Sequence, residues 1–418
     1  MTGRIVIAGA GVAGATAART LRGEGYCGEI VLLGAEASPP YRRPMVSKEL
    51  LAGTANEQRA LLEPADFWHA QRIDVRTGSG VVRIDPDRRA VRLADGTEFG
   101  YDSLLLATGA RPRTLPGMAG PPGVTAGIHT LRERADIAAI RAALDADGSL
   151  LVVGAGLIGC EVAATARGLG ARVTVLHAGA TPLDRVAPAV IGECYRDLHG
   201  EHGVELHTGV RLSRLERTAD GVAAVAENGR RWVAGAVLVA IGAVPNTELA
   251  AAAGLDIADG ILVDERYRTS APGIFAAGDV AARFDPEPGV HRREEHWNSA
   301  RSQGAAAARS MLGIASGDAE VPWGWSTQYG LNLQFAGRIA PNDQLVVRGS
   351  PGSRNLTVLA LRDGRLTGAV ALGRPADIRA ARALIARRIL LDPASGADES
   401  IPIARLADFA GQRGPGGA

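Results

Sequence analysis

The stretch Arg4-Ile-Val-Ile-Ala-Gly-Ala-Gly-Val-Ala-Gly14 decides the fold of the first part of the chain. A short apolar run leads into three glycines, Gly9-x-Gly11-x-x-Gly14, and helix-forming alanines follow. This pattern predicts a strand, a tight turn and a helix, at the glycine spacing that is typical of dinucleotide sites. The glycines permit the turn, the close approach of a pyrophosphate and the packing of the helix on the strand.

The residues that follow this first turn support the same interpretation. A second strand is predicted at Ile30–Leu33, and Glu36 lies 22 residues after Gly14. An acidic side chain at this distance suits a hydrogen bond to a ribose hydroxyl. The helix N-terminus offers free N–H groups and a partial positive charge to phosphates. On this motif alone, a plain structural turn between strand and helix stays an alternative.

The pattern begins again in the middle of the chain. A predicted strand, Ser149–Val153, leads into Gly154-x-Gly156-x-x-Gly159, and Ala171–Leu176 is the next predicted strand. Two such patterns in one chain are far more specific than one, and they predict two dinucleotide sites. Val233–Ile241 is predicted as a single strand that closes the second site.

The predicted fold is α/β, with two Rossmann-like nucleotide-binding domains and a C-terminal α+β domain. The second nucleotide domain is predicted as an insertion in the first. The boundaries that we expect are 1–115 and 243–322 for the first domain, 116–242 for the second and 323–418 for the third. The third domain is predicted to hold several short strands and one helix, Asp377–Leu391.

Composition and charge exclude several classes of protein. The net charge of +1 gives no sign of nucleic-acid binding, and no apolar run reaches the 18 or more residues of a membrane span. The first strand begins at Ile5, which leaves no room for a signal peptide. Cys27, Cys160 and Cys194 form neither a Cys-x-x-Cys pair nor a zinc spacing. We therefore expect no metal site and a reducing, cytoplasmic location.

Lys48 is the single lysine among 46 lysines and arginines. Ser47 is predicted to cap a helix that starts at Lys48, where the helix dipole disfavours a cation. A compact ammonium group held there suggests a carboxylate or a ligand as its partner. The alternative is a compositional bias towards arginine that left one lysine by chance.

Asp279 is another candidate for binding a cofactor. It follows the predicted strand Ile274–Ala277 and Gly278, and it is expected at the start of a helical segment. There it could accept hydrogen bonds from cofactor hydroxyls. The alternative is that Asp279 only caps a helix.

Taken together, the motifs resemble a known family: the FAD-dependent, NAD(P)H-using ferredoxin reductases of bacterial haem-thiolate mono-oxygenases and ring-hydroxylating dioxygenases. These belong to the glutathione-reductase-like flavoproteins. Besides the two glycine patterns, the motifs that carry the resemblance are Tyr41-Arg42-Arg43-Pro44 with Ser47-Lys48, Leu106–Arg111, Gly156–Glu161, Gly242-x-x-Pro245-Asn246, Phe275–Asp279, Arg293-x-Glu295-x-Trp297 and Pro322–Tyr329.

The resemblance implies FAD and NAD(P)H as cofactors and a ferredoxin as the partner of a monomer or weak dimer. It implies that Lys48 lies beside flavin N5 and pairs with Glu161. The residues implied to hold FAD are Gly9, Gly11, Gly14, Glu36, Arg43, Thr108, Gly109 and Asp279, with Trp297 and Trp325 bordering the flavin. Those implied to receive the nicotinamide nucleotide are Gly154, Gly156 and Gly159.

Two further points concern specificity and the partner. His177 lies 18 residues after Gly159, where NAD enzymes often place an acid. We expect NADH to be preferred, although a protonated histidine could assist a 2′-phosphate. A basic face for an acidic ferredoxin is predicted on the last helix, or it is merely a solvated face; its members are Arg374, Arg379, Arg382, Arg387 and Arg388.

Two other functions stay open from the sequence. One is an NAD(P)H oxidase or peroxidase, which the absence of a cysteine at Ser47-Lys48 disfavours. The other is a flavin- and NAD-binding signalling protein, for which a long targeting or inserted segment would be typical.

Overall fold

The computed structural model describes residues 3–115, 127–315 and 320–409. These residues divide into two compact units. The first unit comprises Met1–Met45, Ala55–Arg111 and Ala243–Glu320, and the second comprises Val46–Thr54, Pro112–Gly242 and Val321–Ala418, each within the described ranges. The boundaries of the three domains named above stay a prediction.

The first unit is built on a parallel sheet of five strands. In spatial order these are Ile274–Ala276, Ser103–Leu106, Arg4–Ala8, Glu29–Leu33 and Ile73–Arg76. The inner strands are almost wholly apolar because helices or other layers cover both faces of a parallel sheet. The helix Val12–Gly23 follows the first strand and buries the face formed by its alanines. This is the strand, turn and helix that the sequence predicts.

Smaller elements complete the first unit. An antiparallel meander contains Val81–Asp85, Ala90–Leu93 and Glu98–Gly100. A four-stranded sheet contains Ile257–Ala258, Gly260–Val263, Ala281–Asp285 and Val290–Arg293. Ala243–Pro245 forms a two-stranded sheet with Ala110–Pro112. The other helices are Arg43–Met45 (3₁₀), Glu57–Ala60, Phe67–Ala70, Glu248–Ala252 and Trp297–Met311.

The second unit repeats the nucleotide-binding architecture. Its parallel sheet has the spatial order Val204–His207, Arg172–Leu176, Ser149–Val153, Ala236–Val239 and Ile128–His129. The helix Leu157–Gly168 follows the central strand, and its buried face packs on the sheet. The other helices of this part are Arg134–Asp147 and Ala189–Glu201, and Val46–Leu50 forms a π-helical turn.

The single strand predicted over Val233–Ile241 is wrong. The chain instead forms two strands on either side of Gly235. Arg231–Ala234 joins an antiparallel sheet with Leu212–Thr218 and Gly221–Ala226, whereas Ala236–Val239 joins the parallel sheet. A β-carbon on Gly235 would press against the side chain of Asp147. A glycine inside an apolar run thus marks the point where the chain changes sheets.

The C-terminal part of the second unit is an antiparallel sheet of five strands. Their spatial order is Trp323–Gln328, Leu331–Gly337, Arg365–Leu372, Asn355–Arg362 and Gln344–Ser350. The sequence does not identify Trp323–Gln328 as a strand. It predicts the other four in shorter form, as Leu331–Phe335, Gln344–Val347, Leu356–Leu361 and Leu366–Ala371. Pro375–Ala386 buries its apolar side against this sheet. Pro393–Ala397 and the 3₁₀ turns Pro351–Ser353 and Ile403–Phe409 complete it.

The last long helix ends earlier than predicted. It covers Pro375–Ala386, whereas the sequence predicts Asp377–Leu391. Arg388 has a left-handed backbone with φ of 53°, and Leu390 pairs with Arg365 as a β-bridge. Of the apolar residues after the helix, Leu391 is buried, whereas Leu390 is 49% exposed. Arg387 and Arg388 lie just after the helix.

The α/β fold with two nucleotide-binding sheets and a C-terminal α+β part is confirmed. Across the described ranges, no helix combines the length and apolar character needed to cross a membrane.

Candidate active site

The two glycine-rich turns have nearly the same backbone geometry. Gly9 and Gly154 have φ of 120° and 106°, a region that favours glycine. A β-carbon on either would overlap a carbonyl oxygen, of Ala107 or of Ala240. The third glycine of each turn packs equally closely, because a β-carbon there would overlap the carbonyl oxygen of the first. These close approaches explain the first and third glycines by packing alone.

The middle glycine of each turn is different. A β-carbon on Gly11 or Gly156 would meet no heavy atom within 4 Å. The protein's own packing therefore does not require glycine at these positions. Each one caps the N-terminus of the helix that follows, with extended backbone and no side-chain cap. An open cradle at a helix N-terminus fits a pyrophosphate group.

Glu36 belongs to a polar cluster at the end of the second strand of the first unit. Its Oε1 accepts a hydrogen bond from Arg43 at 2.5 Å, and its Oε2 accepts one from the Tyr41 hydroxyl at 2.6 Å. The guanidinium of Arg43 also lies over the Tyr41 ring, 5.1 Å from its centre. Glu36 remains about one-fifth exposed, so its carboxylate can accept a further hydrogen bond. The structure thus joins two predicted site residues, Glu36 and Arg43.

Thr108 and Gly109 are held in place by a residue from far along the chain. Asn246 donates its side-chain amide to the Thr108 carbonyl at 2.8 Å, and its backbone N–H to Gly109 at 3.0 Å. The Thr108 hydroxyl donates to the Asn246 carbonyl at 2.9 Å. Gly109 has φ of 67°. These contacts fix the loop that follows Ser103–Leu106, beside the first glycine turn.

Asp279 lies in a turn between two strands. It is not at the start of a helix, because the strand Ala281–Asp285 follows at once. Both the predicted helical segment and the helix-cap alternative are therefore wrong. Gln303 accepts a hydrogen bond from Gly278 N–H at 2.9 Å, and a β-carbon on Gly278 would press on Ala13 of the first glycine-turn helix. The turn is thereby placed against the helix that follows the first glycine pattern.

Lys48 and Glu161 form a buried ion pair. Lys48 Nζ lies 2.8 Å from Glu161 Oε2, and the two side chains are 16% and 7% exposed. The predicted cap by Ser47 is wrong, because Val46–Leu50 is already a π-helical turn. The Ser47 hydroxyl instead donates to the same Oε2. Ser47 is also anchored by its carbonyl, which accepts from the Thr165 hydroxyl at 2.8 Å.

The other oxygen of Glu161 connects to residues that the sequence did not identify. Ser326 donates to Oε1 at 2.8 Å, and Gln328 donates to the Ser326 hydroxyl at 3.1 Å. His199 Nε2 lies 2.9 Å from Gln328 Oε1. Burial lowers the pKa of His199, although the Gln328 hydrogen bond opposes that change. A neutral ring donates from Nε2, which suits the Gln328 oxygen.

We call Lys48, Ser47, Glu161, Ser326, Gln328 and His199 the Glu161 network. Three donors converge on one carboxylate, so both oxygens of the buried Glu161 side chain have hydrogen-bond partners. Ser326 and Gln328 belong to the Trp-Ser-x-Gln-Tyr motif, which is part of the family resemblance. That motif did not predict a role for either residue. His199 gave no signal in the sequence.

Two predicted flavin neighbours lie on separate elements. Trp297 begins the helix Trp297–Met311 in the first unit. Trp325 lies in the strand Trp323–Gln328 of the second unit, with its ring 5.9 Å from that of Trp323.

Models of known protein families match both parts of this chain. The family model described as pyridine nucleotide-disulphide oxidoreductase matches residues 3–304, and that described as reductase C-terminal matches 323–407. The chain is 44% identical to the anthranilate 1,2-dioxygenase system ferredoxin–NAD(+) reductase component of Burkholderia cepacia, over 95% of this chain and 97% of that protein. It is 41% identical to rhodocoxin reductase of Rhodococcus erythropolis, over 94% and 92%.

A solved structure agrees with these relatives. The crystal structure of a covalent putidaredoxin reductase–putidaredoxin complex matches with a TM-score of 0.93 and 36% identity, over 98% of this chain and 99% of that one. The family model spans well over half of the chain, and relatives above 30% identity extend over nearly all of it. This chain therefore belongs to the pyridine nucleotide-disulphide oxidoreductase family, among its ferredoxin–NAD(+) reductases.

Proposed function

We propose that this protein is a flavoprotein reductase that carries electrons from NADH through FAD to a ferredoxin. The ferredoxin is a small iron–sulfur protein, such as a 2Fe-2S carrier, that serves a haem-thiolate mono-oxygenase or a ring-hydroxylating dioxygenase. One NADH supplies two electrons, so each turnover reduces two one-electron carriers and releases NAD⁺ and a proton. The observation that carries the proposal is the pair of matching glycine turns, of which only the second bears a buried lysine–glutamate pair.

The residues of the first unit fit the ADP half of FAD. Gly11 leaves an open cradle at a helix N-terminus, and Glu36 presents a carboxylate at the end of the next strand. Asp279 lies in the turn that packs against the same helix. We assign its carboxylate to hydrogen bonds with the ribityl chain of FAD. When bound, FAD accepts a hydride as an electron pair and passes the electrons on singly.

The residues of the second unit fit the nicotinamide nucleotide and the charge change at the flavin. Gly156 leaves the matching cradle for a second pyrophosphate. We assign Lys48 to the side of flavin N5, where its ammonium group would supply a fixed positive charge that favours the reduced flavin. Glu161 and its serine donors hold that ammonium group in one place. Oriented binding of both nucleotides turns hydride transfer into an intramolecular step.

The Cys160 thiol does not offer a second route for electrons. Cys160 adjoins Glu161, but it is fully buried, and burial together with the Glu161 charge raises the pKa of its thiol far above the ordinary value. Such a thiol is inert as a nucleophile. The sequence has no Cys-x-x-Cys pair. These facts favour an external one-electron carrier over disulfide or peroxide reduction. Free cysteines and the use of NADH also support a cytoplasmic location.

Anaerobic stopped-flow spectroscopy tests the proposal. NADH should bleach the flavin of the purified yellow protein. Oxidised ferredoxins from a panel should then restore its colour, with two ferredoxin molecules reduced for each flavin that is reoxidised. Steady-state oxygen consumption, measured in parallel without ferredoxin, should be much slower than ferredoxin reduction. A protein that lacks flavin, or one that consumes oxygen faster than it reduces any ferredoxin, would contradict the proposal.

The ferredoxin-docking face stays a prediction, and the structure narrows the set of arginines that could form it. Arg382 lies over the Trp323 ring at 4.7 Å, and Arg374 pairs with Glu399 at 2.7 Å, so both have structural roles. Arg379 and Arg387 are exposed. The double change Arg379→Glu and Arg387→Glu should lower ferredoxin-coupled turnover about tenfold at low salt, because steering depends on charge. Direct reduction of a small dye should not change, and equal loss of both activities would contradict docking there.

A further inference from the structure

The end of the strand Arg172–Leu176 lacks the acid that marks many NAD sites. In such sites a carboxylate about 20 residues after the glycines binds the ribose 2′-hydroxyl. Here His177 occupies that position. A different group would therefore have to distinguish a ribose 2′-hydroxyl from a 2′-phosphate.

The ring of His177 lies between the second glycine turn and Asp184. Its Nδ1 accepts a hydrogen bond from the backbone N–H of Ala155, within the second glycine turn, at 3.3 Å. Its Nε2 lies 3.2 Å from Asp184 Oδ2, without the geometry of a hydrogen bond. His177 therefore fills the space between the glycine turn and the Asp184 carboxylate.

The backbone before Asp184 is held in an unusual conformation. Leu183 is buried and has φ of 61°, a region that side-chain-bearing residues rarely adopt. Its N–H donates to the Ala155 carbonyl at 2.9 Å, and its carbonyl accepts from Val186 and Ala187 at 2.9 Å. The loop is thereby attached to the same residue that holds His177. Strain of this kind persists only where the surroundings enforce it.

Gly179 provides the space for the Asp184 carboxylate. A β-carbon at Gly179 would overlap Asp184 Oδ2. The carboxylate therefore lies against the backbone just beyond the strand end, and its side chain is 35% exposed. The neighbouring Arg185 is directed elsewhere, because its guanidinium reaches Gly242, beyond the end of a different strand.

We infer that Asp184, placed beside His177 by the Leu183 turn and the space at Gly179, is the residue that accepts the adenosine ribose hydroxyls of NADH and excludes NADPH. This inference rests on the proposed function and names the specificity determinant of its nucleotide site. An ionised carboxylate accepts a hydrogen bond from a 2′-hydroxyl, whereas it repels the dianionic 2′-phosphate. The acid missing from the strand end is thus supplied seven positions further along the chain.

Calorimetric titration of the flavin-loaded protein with NAD⁺ and NADP⁺ tests this role. The wild-type protein should bind NAD⁺ more tightly than NADP⁺. Asp184→Asn should weaken NAD⁺ and strengthen NADP⁺, so that the ratio of dissociation constants narrows about tenfold, as expected for loss of a hydrogen bond to a charged group. Asp220→Asn, which removes an exposed acid from a distant turn, should leave the ratio unchanged. The flavin absorbance and melting midpoint verify that each variant is folded.

A second variant tests the same site by filling the space that the carboxylate occupies, without changing its charge. Gly179→Ala should displace the carboxylate and narrow the ratio in the same direction. Suppose the ratio of the two dissociation constants stays within twofold of wild type in both variants, while wild type binds NAD⁺ and reduces ferredoxin. That result would overturn the role of Asp184 and leave the proposed function intact. A wild-type preference for NADP⁺ would also overturn it. Failure of wild type to bind either nucleotide would overturn the proposed function as well.

Discussion

The two glycine turns are alike in their backbones and differ in what surrounds them. In both, the first and third glycines are required by close packing, and the middle glycine faces open space. Two positions after the third glycine, however, the first helix has Thr16 and the second has Glu161. Beyond the next strand, the first turn is followed by Glu36, and the second by His177 with Asp184. The turns supply a common phosphate cradle, and the chemistry depends on residues outside them.

The largest expected effect comes from filling each cradle. Gly11→Ala and Gly156→Ala add a methyl group to the space assigned to a pyrophosphate without overlapping the protein. Gly11→Ala should yield a folded but largely colourless protein. Gly156→Ala should stay yellow and bind NADH at least about tenfold more weakly. The flavin-to-protein absorbance ratio and NAD⁺ titration measure the two effects.

This pair of variants also shows whether the two sites are assigned the right way round. Circular dichroism should be unchanged in both, because neither methyl group meets another atom of the protein. If Gly156→Ala lost its flavin and Gly11→Ala kept it, the assignment of the two nucleotides would have to be exchanged.

The next effect concerns the residue that distinguishes the second helix. Lys48→Met and Glu161→Gln should each slow flavin reduction by saturating NADH by about tenfold to a hundredfold, because each removes a fixed charge from the site. The flavin midpoint potential should fall in Lys48→Met, since a positive charge favours the reduced form. Stopped-flow absorbance and redox titration provide the measurements.

Thr16 provides the matched control for this second prediction. Thr16→Ala changes the equivalent position of the first helix and should leave the reduction rate within about twofold of wild type. Rates that are equal in wild type, Lys48→Met and Glu161→Gln would remove the Glu161 network from the mechanism.

The smallest effect is a pH dependence carried by His199. Because burial lowers its folded-state pKa, the unfolded chain takes up a proton first as pH falls below about 6.5. Stability is therefore retained above that pH and is lost between about 6.5 and the lower folded pKa. His199→Gln should flatten this acid-side loss in a plot of melting midpoint against pH.

His129 and His296 also have pKa values lowered by burial, so they contribute with the same sign. The informative quantity is the difference between the wild-type and His199→Gln curves. His69→Gln changes an exposed histidine and should give a curve parallel to wild type. A His199→Gln curve that is parallel to wild type would show that His199 does not titrate with folding.

The local parts of this comparison could be predicted from the sequence. Each glycine turn depends on a strand, three glycines and a helix that are contiguous, and Ser149–Val153 is a strand with the predicted bounds. The family resemblance added the Lys48–Glu161 pair, which the structure contains. It also implied cofactor roles for individual residues, and those roles stay predictions.

The missed features depend on contacts between distant parts of the chain. Ser326 and Glu161 are 165 positions apart, and no local pattern indicates that their side chains meet. The role of Ser47 was misjudged because helix-cap preference is a local property, whereas its hydroxyl is directed by Glu161. Asp184 gave no signal in the sequence because the expected acid belongs at the strand end, whereas Asp184 follows a buried leucine with a left-handed backbone.

The single lysine also makes this protein unusually simple to label. Reductive methylation with isotopically enriched formaldehyde would place a dimethylamino group on only two nitrogens, the N-terminus and Nζ of Lys48. Two resonances would therefore report on a chain of 418 residues, and one of them would come from within the Glu161 network. With Lys48 beside the flavin, as we propose, its chemical shift would follow the oxidation state of the flavin without any mutation to simplify the spectrum.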